Sequence, residues 1–272
     1  MKKVIVFMLV VLLALPILSN SANAENEIEK ITLNGSTSME KLVNALKEAI
    51  QDPYPDLQLE PQFTGSSAGI ESVLTKTSDI GNSSRSLDEE EKSQGIVENI
   101  VAIDAIVIVT DNNNTVDNLS KQQLIDIYKG KIRNWKEVGG KDQPIVVIGR
   151  ESGSGTRTAF EEILEVEGQC KYANELNETG PVMAKAASIP GAIGYVSLDV
   201  VDDSVKTLKI DNVEATEETI KNGSYSLQRP FVMATNGTIE EQKESVQQVF
   251  DFIQSEQGQK VIKSVGLISP QE

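Results

Sequence analysis

Three short turns carry the residues of this chain best suited to chemistry: Gly35-Ser36-Thr37-Ser38, Gly65-Ser66-Ser67-Ala68-Gly69 and Ser152-Gly153-Ser154-Gly155-Thr156-Arg157. In each, a short β-like run breaks into glycine and hydroxyl residues that open a helix-like pattern. Glycine permits close backbone approach, the N–H groups of a first helical turn point outward, and hydroxyls add neutral donors beside the positive dipole end. One such turn is an ordinary helix cap; three in one chain predict convergence on a single oxyanion. Arg150 stands directly before the third turn, at the end of an apolar run, where a guanidinium can grip a tetrahedral anion bidentately. Ser83, Ser84 and Arg85 end another strand-like run and form a fourth candidate wall. Arg85 precedes Asp88-Glu89-Glu90-Glu91 and is equally suited to pair with that acidic run.

The chain contains no histidine and one cysteine, Cys170. Without imidazole, Ser-His-Asp and Cys-His catalysis lack their base and the usual zinc sites lack a ligand, while a lone cysteine forms no intrachain disulfide. Cys170 reads as a structural thiol. Two enzyme-like spacings remain. The second turn fits the G-x-S-x-G nucleophile elbow, with no histidine to activate Ser66. Ser38-Met39-Glu40-Lys41 fits the S-x-x-K dyad of acyl-serine enzymes, but the S-D-N and K-T-G companions are missing and Lys76-Thr77-Ser78 only approaches the latter. No turn supplies G-x-x-x-x-G-K-[ST], so nucleotide hydrolysis is not indicated.

These turns need strands and helices to hold them. Ile31 to Leu33 reads as a strand, and Met39, Leu42, Val43, Leu46, Ala49 and Ile50 keep helical spacing until Pro53 and Pro55. Around the second turn Leu57, Leu59 and Phe63 repeat the strand, and Ile70, Val73 and Leu74 repeat the helix. Ser86-x-x-Glu89 has the capping-box form ahead of an acidic helix. Residues 101–109 form a nearly continuous apolar run around Asp104, as expected of a strand buried on both faces, and the polar break at 111–114 is taken as the edge of a first lobe. Ser120 to Tyr128 predicts an amphipathic helix closed by Gly130. Residues 144–148 predict a strand feeding the third turn, 190–196 a turn into a strand, and 231–234 another strand. Thr238-x-x-Glu241 predicts the cap of a long last helix. The alternation predicts an α/β fold with mixed, mostly parallel sheets flanked by helices and a ligand beyond the carboxyl ends of the strands.

Lys2 and Lys3, an apolar run from Val4 to Leu18, and Ala22-Asn23-Ala24 read as an export signal over 1–24. Its removal moves the formal net charge from −16 to −18. Nucleic acid and anionic membrane surfaces are therefore not expected partners. An acidic chain can still bind an anion, because a desolvated site answers to donors within a few ångströms while distant charges are screened. About 250 residues suit two lobes with a cleft between them. No cysteine follows the signal, so no lipid anchor is read there, and no other stretch is long and apolar enough to span a membrane.

Taken together and in order, Asn34-Gly35-Ser36-Thr37-Ser38, the second turn, Ile127-Tyr128-Lys129-Gly130-Lys131-Ile132 with Asn134-Trp135, the segment from Arg150 to Thr156, and Ala192-Ile193-Gly194-Tyr195 resemble the periplasmic-type phosphate-binding proteins that serve the phosphate-specific ABC importer. The resemblance covers essentially the whole chain after the signal. It implies a type II periplasmic-binding-protein fold: lobe one from 25–108 and 231–272, lobe two from 109–230, and two crossing strands near 107–110 and 229–233. It implies a non-catalytic, monomeric, exported binding protein without a cofactor that delivers inorganic phosphate to membrane permease subunits. The family's ligand positions carry over onto Thr37, Ser38, Ser66, Arg150, Ser154, Gly155 and Thr156, with Ser84 as a further wall and Ser36 and Arg85 as possible additions. Well-known members place an aspartate at the position of Ser84, where it accepts the proton of hydrogen phosphate and refuses sulfate; a serine lacks that charge. Alternatives are another tetrahedral oxyanion (sulfate, molybdate or tungstate) and an acyl-serine enzyme using Ser38 and Lys41.

Overall fold

The computed structural model describes residues 28–270, and the expected export signal lies outside the described residues. The first strand, β1 (Glu29–Gly35), buries Ile31 and Leu33 in alternation with more exposed neighbours. It is followed by α1 (Glu40–Ala49), β2 (Leu57–Phe63), α2 (Ser66–Leu74) and β3 (Ile80–Ser83). β1 runs parallel to both β2 and β3, with Ile31 opposite Leu59 and Leu33 opposite Ile80. Parallel neighbours require crossover connections, and the two helices supply them. α1 packs Leu42, Val43 and Leu46 onto the sheet, the helical spacing legible in the chain.

A short helix α3 (Glu89–Ser93) and strand β4 (Ile96–Val97) lead into the long β5 (Ile100–Thr110). The capping box of α3 is formed by Asp88 and Glu91, two residues after the predicted Ser86 and Glu89, because Arg85 holds Glu91 back over the helix start. The chain then builds β6 (Asn118–Leu119), α4 (Lys121–Tyr128), β7 (Val146–Arg150), α5 (Gly155–Leu164), β8 (Asn174–Leu176), α6 (Thr179–Ser188), β9 (Ala192–Ser197), β10 (Lys206–Ile210) and α7 (Glu217–Lys221). β11 (Gln228–Asn236) returns to the first half of the molecule, which α8 (Glu244–Gln254) and α9 (Glu256–Ser264) complete. Thr238 caps only a single 3-10 turn, and the long helix expected from it starts later and breaks at Ser255 into α8 and α9.

One sheet path runs β2-β1-β3-β11-β5-β9-β7-β8. Its outer pairs are parallel, and its centre, where β3, β11, β5 and β9 meet, is antiparallel. The apolar core divides at that centre. Val101, Ala102, Phe231 and Met233 pack with Ile31, Leu42 and Val249; Ala105, Ile106, Ile108 and Leu227 pack with Tyr128, Trp135, Phe160 and Tyr195. The crossing on β5 therefore falls near 103–105, a few residues before the expected 107–110, since 106–110 already pair with β9. Two further positions differ from expectation. Ile268 bridges Ile103 and packs in the second core, and the polar break at 111–114 lies at the far end of β5, where Asp111 accepts the N–H of Gly191.

Candidate functional site

All three turns form helix starts at the carboxyl ends of strands. In the first, Gly35 takes φ +140°, and a Cβ there would fall 2.1 Å from the carbonyl oxygen of Asn82. The chain can therefore press against β3, and Ser36 N donates to Asn82 O at 2.8 Å. The next residues, Thr37–Met39, form a 3-10 turn leading into α1. In the second, Gly65 takes φ +98° as the N-cap of α2, no side chain caps that end, and Gly65 N donates to Gly35 O. In the third, Ser154 caps α5 and accepts the N–H of Arg157. Ser84 follows β3 directly and donates its N–H to Ser66 Oγ at 3.1 Å.

The hydroxyls of the two halves meet. Ser38 Oγ lies 2.7 Å from Thr156 Oγ1, Thr37 Oγ1 lies 3.1 Å from Thr179 Oγ1, and Ser84 Oγ lies 3.4 Å from Thr156 Oγ1. Ser36 Oγ donates to Ser84 Oγ at 2.9 Å, and the backbone joins in as Ser67 N donates to Gly153 O at 3.2 Å. Gly155 is required here, because a Cβ would fall 2.3 Å from Ser66 Oγ and 2.8 Å from Ser66 Cβ. Ser36, Thr37, Ser38, Ser66, Ser84, Ser154, Thr156 and Thr179 are all buried.

Arg150 ends β7 inside this cluster and is 2 % exposed. Its Nε donates to Leu176 O, Nη1 to Thr179 Oγ1, and Nη2 to Asn177 O and Thr37 Oγ1, all at 2.9–3.1 Å. Each of these acceptors is a neutral oxygen. Burial lowers its pKa to about 10, which still leaves the guanidinium charged at neutral pH. A buried cation among rotatable hydroxyls and helix N-termini has the chemistry of an oxyanion receptor: the charge needs a counter-anion, and each hydroxyl can turn its proton toward one. A cleft of about 820 Å³ is lined by Thr37 and Thr179 together with Glu40, Lys41, Glu48, Glu178 and Asp202.

The structure thus gathers Ser36, Thr37, Ser38, Ser66, Ser84, Arg150, Ser154, Gly155 and Thr156 in one place. Arg85, a possible addition equally suited to pair with the acidic run after it, is taken by that run. Glu91 grips its guanidinium with two hydrogen bonds of 2.7–2.8 Å and raises its pKa, while Ser86 O takes another. Arg157 likewise pairs with Glu161 and Glu175 and stacks over Tyr172. Thr179 was not among the sequence candidates, although Asn177-Glu178-Thr179-Gly180 follows a strand with the same hydroxyl-glycine helix start as the other turns. Also unforeseen is a buried ion pair beside the site, where Arg229 Nε donates to Asp104 Oδ2 at 2.9 Å and Nη1 to Ser84 O at 3.2 Å.

The sequence model of the PBP superfamily domain matches residues 20–257. Curated relatives include the phosphate-binding protein PstS of Bacillus subtilis, 32 % identical over 90 % of this chain and 82 % of its own length. PstS of Borreliella burgdorferi is 29 % identical over 98 % of this chain and 99 % of its own length. Among solved structures, one from Clostridium perfringens, assigned as a phosphate ABC transporter substrate-binding protein and carrying bound phosphate, superposes with a TM-score of 0.85 at 41 % identity. It covers 89 % of this chain and 99 % of that one.

Proposed function

We propose that this chain, which belongs to the PBP superfamily and to its phosphate-binding proteins, captures inorganic phosphate outside the cytoplasm and passes it to the permease of an ABC importer. It has the type II fold of that family. The observation that carries the reading is Arg150: a buried guanidinium, bonded among the described residues only to neutral oxygens, at the meeting point of hydroxyls from both lobes. The proposed ligand set is Thr37, Ser38, Ser66, Ser84, Arg150, Ser154, Gly155 and Thr156, with Ser36 steering Ser84 and Thr179 added from the second lobe. Hydrogen bonds to a charged group contribute about 1.5–3 kcal/mol each, so about eight donors can offset the desolvation of the anion with one cation.

Lobe one carries the first two turns and Ser84; lobe two carries Arg150, the third turn and Thr179. Closure of the two about β5 and β11 buries the anion between them. The protein acts as an exported monomer, and its acidic surface is read by the permease. A non-catalytic role accords with the placement of the enzyme-like residues. Lys41 Nζ is engaged by Asp199 O, Ser38 Oγ by Thr156 and Thr179, and Ser66 Oγ by Ser84 N.

Calorimetric titration of the anion-stripped chain with phosphate and with sulfate, at fixed ionic strength, tests the reading. One-to-one phosphate binding well above sulfate is expected. Sulfate binding as tight as phosphate, or tighter, would move the assignment to another oxyanion.

A further inference from the structure

We infer that Asp199 takes up a proton when the lobes close, so that anion capture is coupled to protonation of a carboxyl outside the anion site. The inference rests on the proposed phosphate capture for its ligand. Ser197 Oγ lies 2.8 Å from Asp104 Oδ1 and 2.5 Å from Asp199 Oδ1. A hydroxyl has one proton to donate. With both carboxylates ionised, one of these contacts would set lone pair against lone pair. Both become hydrogen bonds once one carboxyl is protonated and donates to Ser197 Oγ.

Asp104 is the one that keeps its charge. Its Oδ2 lies 2.9 Å from Arg229 Nε and 2.8 Å from Arg229 Nη2, and its Oδ1 also accepts from Leu198 N at 3.2 Å. The proton therefore falls to Asp199, and burial together with the charge of Asp104 pushes that carboxyl up to about 7. Asp199 Oδ2 has no hydrogen-bond partner among the described residues, although the residue is only 5 % exposed. That is tolerable for the carbonyl-like oxygen of a neutral acid and costly for a carboxylate.

The groups around Asp199 come from both lobes. Asp104 and Arg229 sit on the crossing strands and Ser197 ends β9. From the first lobe, Lys41 of α1 reaches over to donate to Asp199 O at 2.5 Å. A seam of about 480 Å³ is lined by Lys41, Asp199, Glu217, Lys263, Gly266 and Leu267. The charged groups facing Asp199 are thus Asp104, Arg229, Lys41, Lys263 and Glu217. Parting the lobes withdraws α1 with Lys41, water reaches the carboxyl, and its pKa returns toward the ordinary carboxylate range. A group whose pKa is higher in the closed form makes closure bind a proton between the two values. Affinity then falls as pH rises through that window and levels off above about 7.

The test measures phosphate affinity of the native chain and of Asp199→Asn from pH 5 to 8.5, in buffers of differing ionisation enthalpy. The titration of phosphate itself is common to both chains and cancels in their ratio. The native-to-variant affinity ratio is expected to fall at least about tenfold between pH 5 and pH 8, with close to one extra proton taken up per anion by the native chain below neutrality. A ratio constant within about twofold, with equal proton uptake, overturns the inference and leaves phosphate capture standing. No phosphate binding at any pH refutes the capture and the inference with it. The carboxyl carbon shift of Asp199 in the phosphate-loaded native chain, followed by NMR, needs no variant: a midpoint near neutrality supports the inference, and one in the ordinary carboxylate range overturns it.

Discussion

Gly155→Ala separates the two things that the third turn does. A Cβ at this position would lie 2.3 Å from Ser66 Oγ, 2.8 Å from Ser66 Cβ and 2.9 Å from Ser84 Oγ. The hydroxyls can rotate away, but Ser66 Cβ cannot, and carbon atoms rest about 3.5–4.0 Å apart. The lobes must therefore stand off by roughly 1 Å at the point where they close on the anion. Overpacking of this kind costs about 1–3 kcal/mol, which corresponds to about 5- to 150-fold in Kd. At the first position of α5 the same change is neutral or mildly favourable, because alanine is a better helix former than glycine by at most about 1 kcal/mol, the helix-interior value. The ligand-free melting temperature is expected to hold or rise while the calorimetric Kd for phosphate weakens at least about fivefold. Gly180→Ala near the start of α6, where a Cβ meets nothing within 4 Å, is the control and is expected to leave Kd unchanged. Native affinity in Gly155→Ala would refute the claim that the anion is held by closure of Ser66 and Ser84 onto the third turn.

Arg150→Ala is expected to weaken phosphate binding by about 2–5 kcal/mol, or about 30- to 5,000-fold in a titration, while the ligand-free chain melts near its native temperature because a costly buried cation has gone. Ser84→Asp is expected to raise the phosphate-to-sulfate affinity ratio, since a carboxylate accepts the proton of hydrogen phosphate and repels sulfate; an unchanged ratio would show that this wall does not read the ligand. Arg229→Met leaves the charge of Asp104 buried alone and is expected to cost about 3–5 kcal/mol in urea unfolding at neutral pH. Burial already raises the pKa of Asp104 in the folded state and loss of Arg229 raises it further, so the deficit of this variant is absent in acid and appears as pH rises from the ordinary carboxylate range toward that raised pKa. A deficit independent of pH would contradict the assignment.

The three glycine-hydroxyl turns were legible because a strand end followed by these residue types marks a helix start, and all three fall at helix starts as expected. The helical face of α1 and the apolar β5 were legible for the same kind of reason, since burial on one face or on both writes a period into the chain. Less legible were features that depend on partners distant in sequence. Arg85 and Arg150 look alike locally, each a basic residue at a strand end beside serines. The acidic run after Arg85 offered it a partner in the sequence, but only the fold decides that Glu91 takes it while Arg150 faces neutral oxygens. Asp104 and Arg229 are 125 residues apart, and nothing in either strand announces that they pair. The exact crossing on β5 was displaced because an apolar run does not record where its neighbour changes from β11 to β9.

The most direct test is a diffraction structure of the chain crystallised with phosphate. The anion is predicted between the lobes, within hydrogen-bond distance of the Arg150 guanidinium and of hydroxyls from Ser38, Ser66 and Thr156. Phosphate ordered elsewhere, with Arg150 still bonded only to Leu176, Asn177, Thr37 and Thr179, would contradict it.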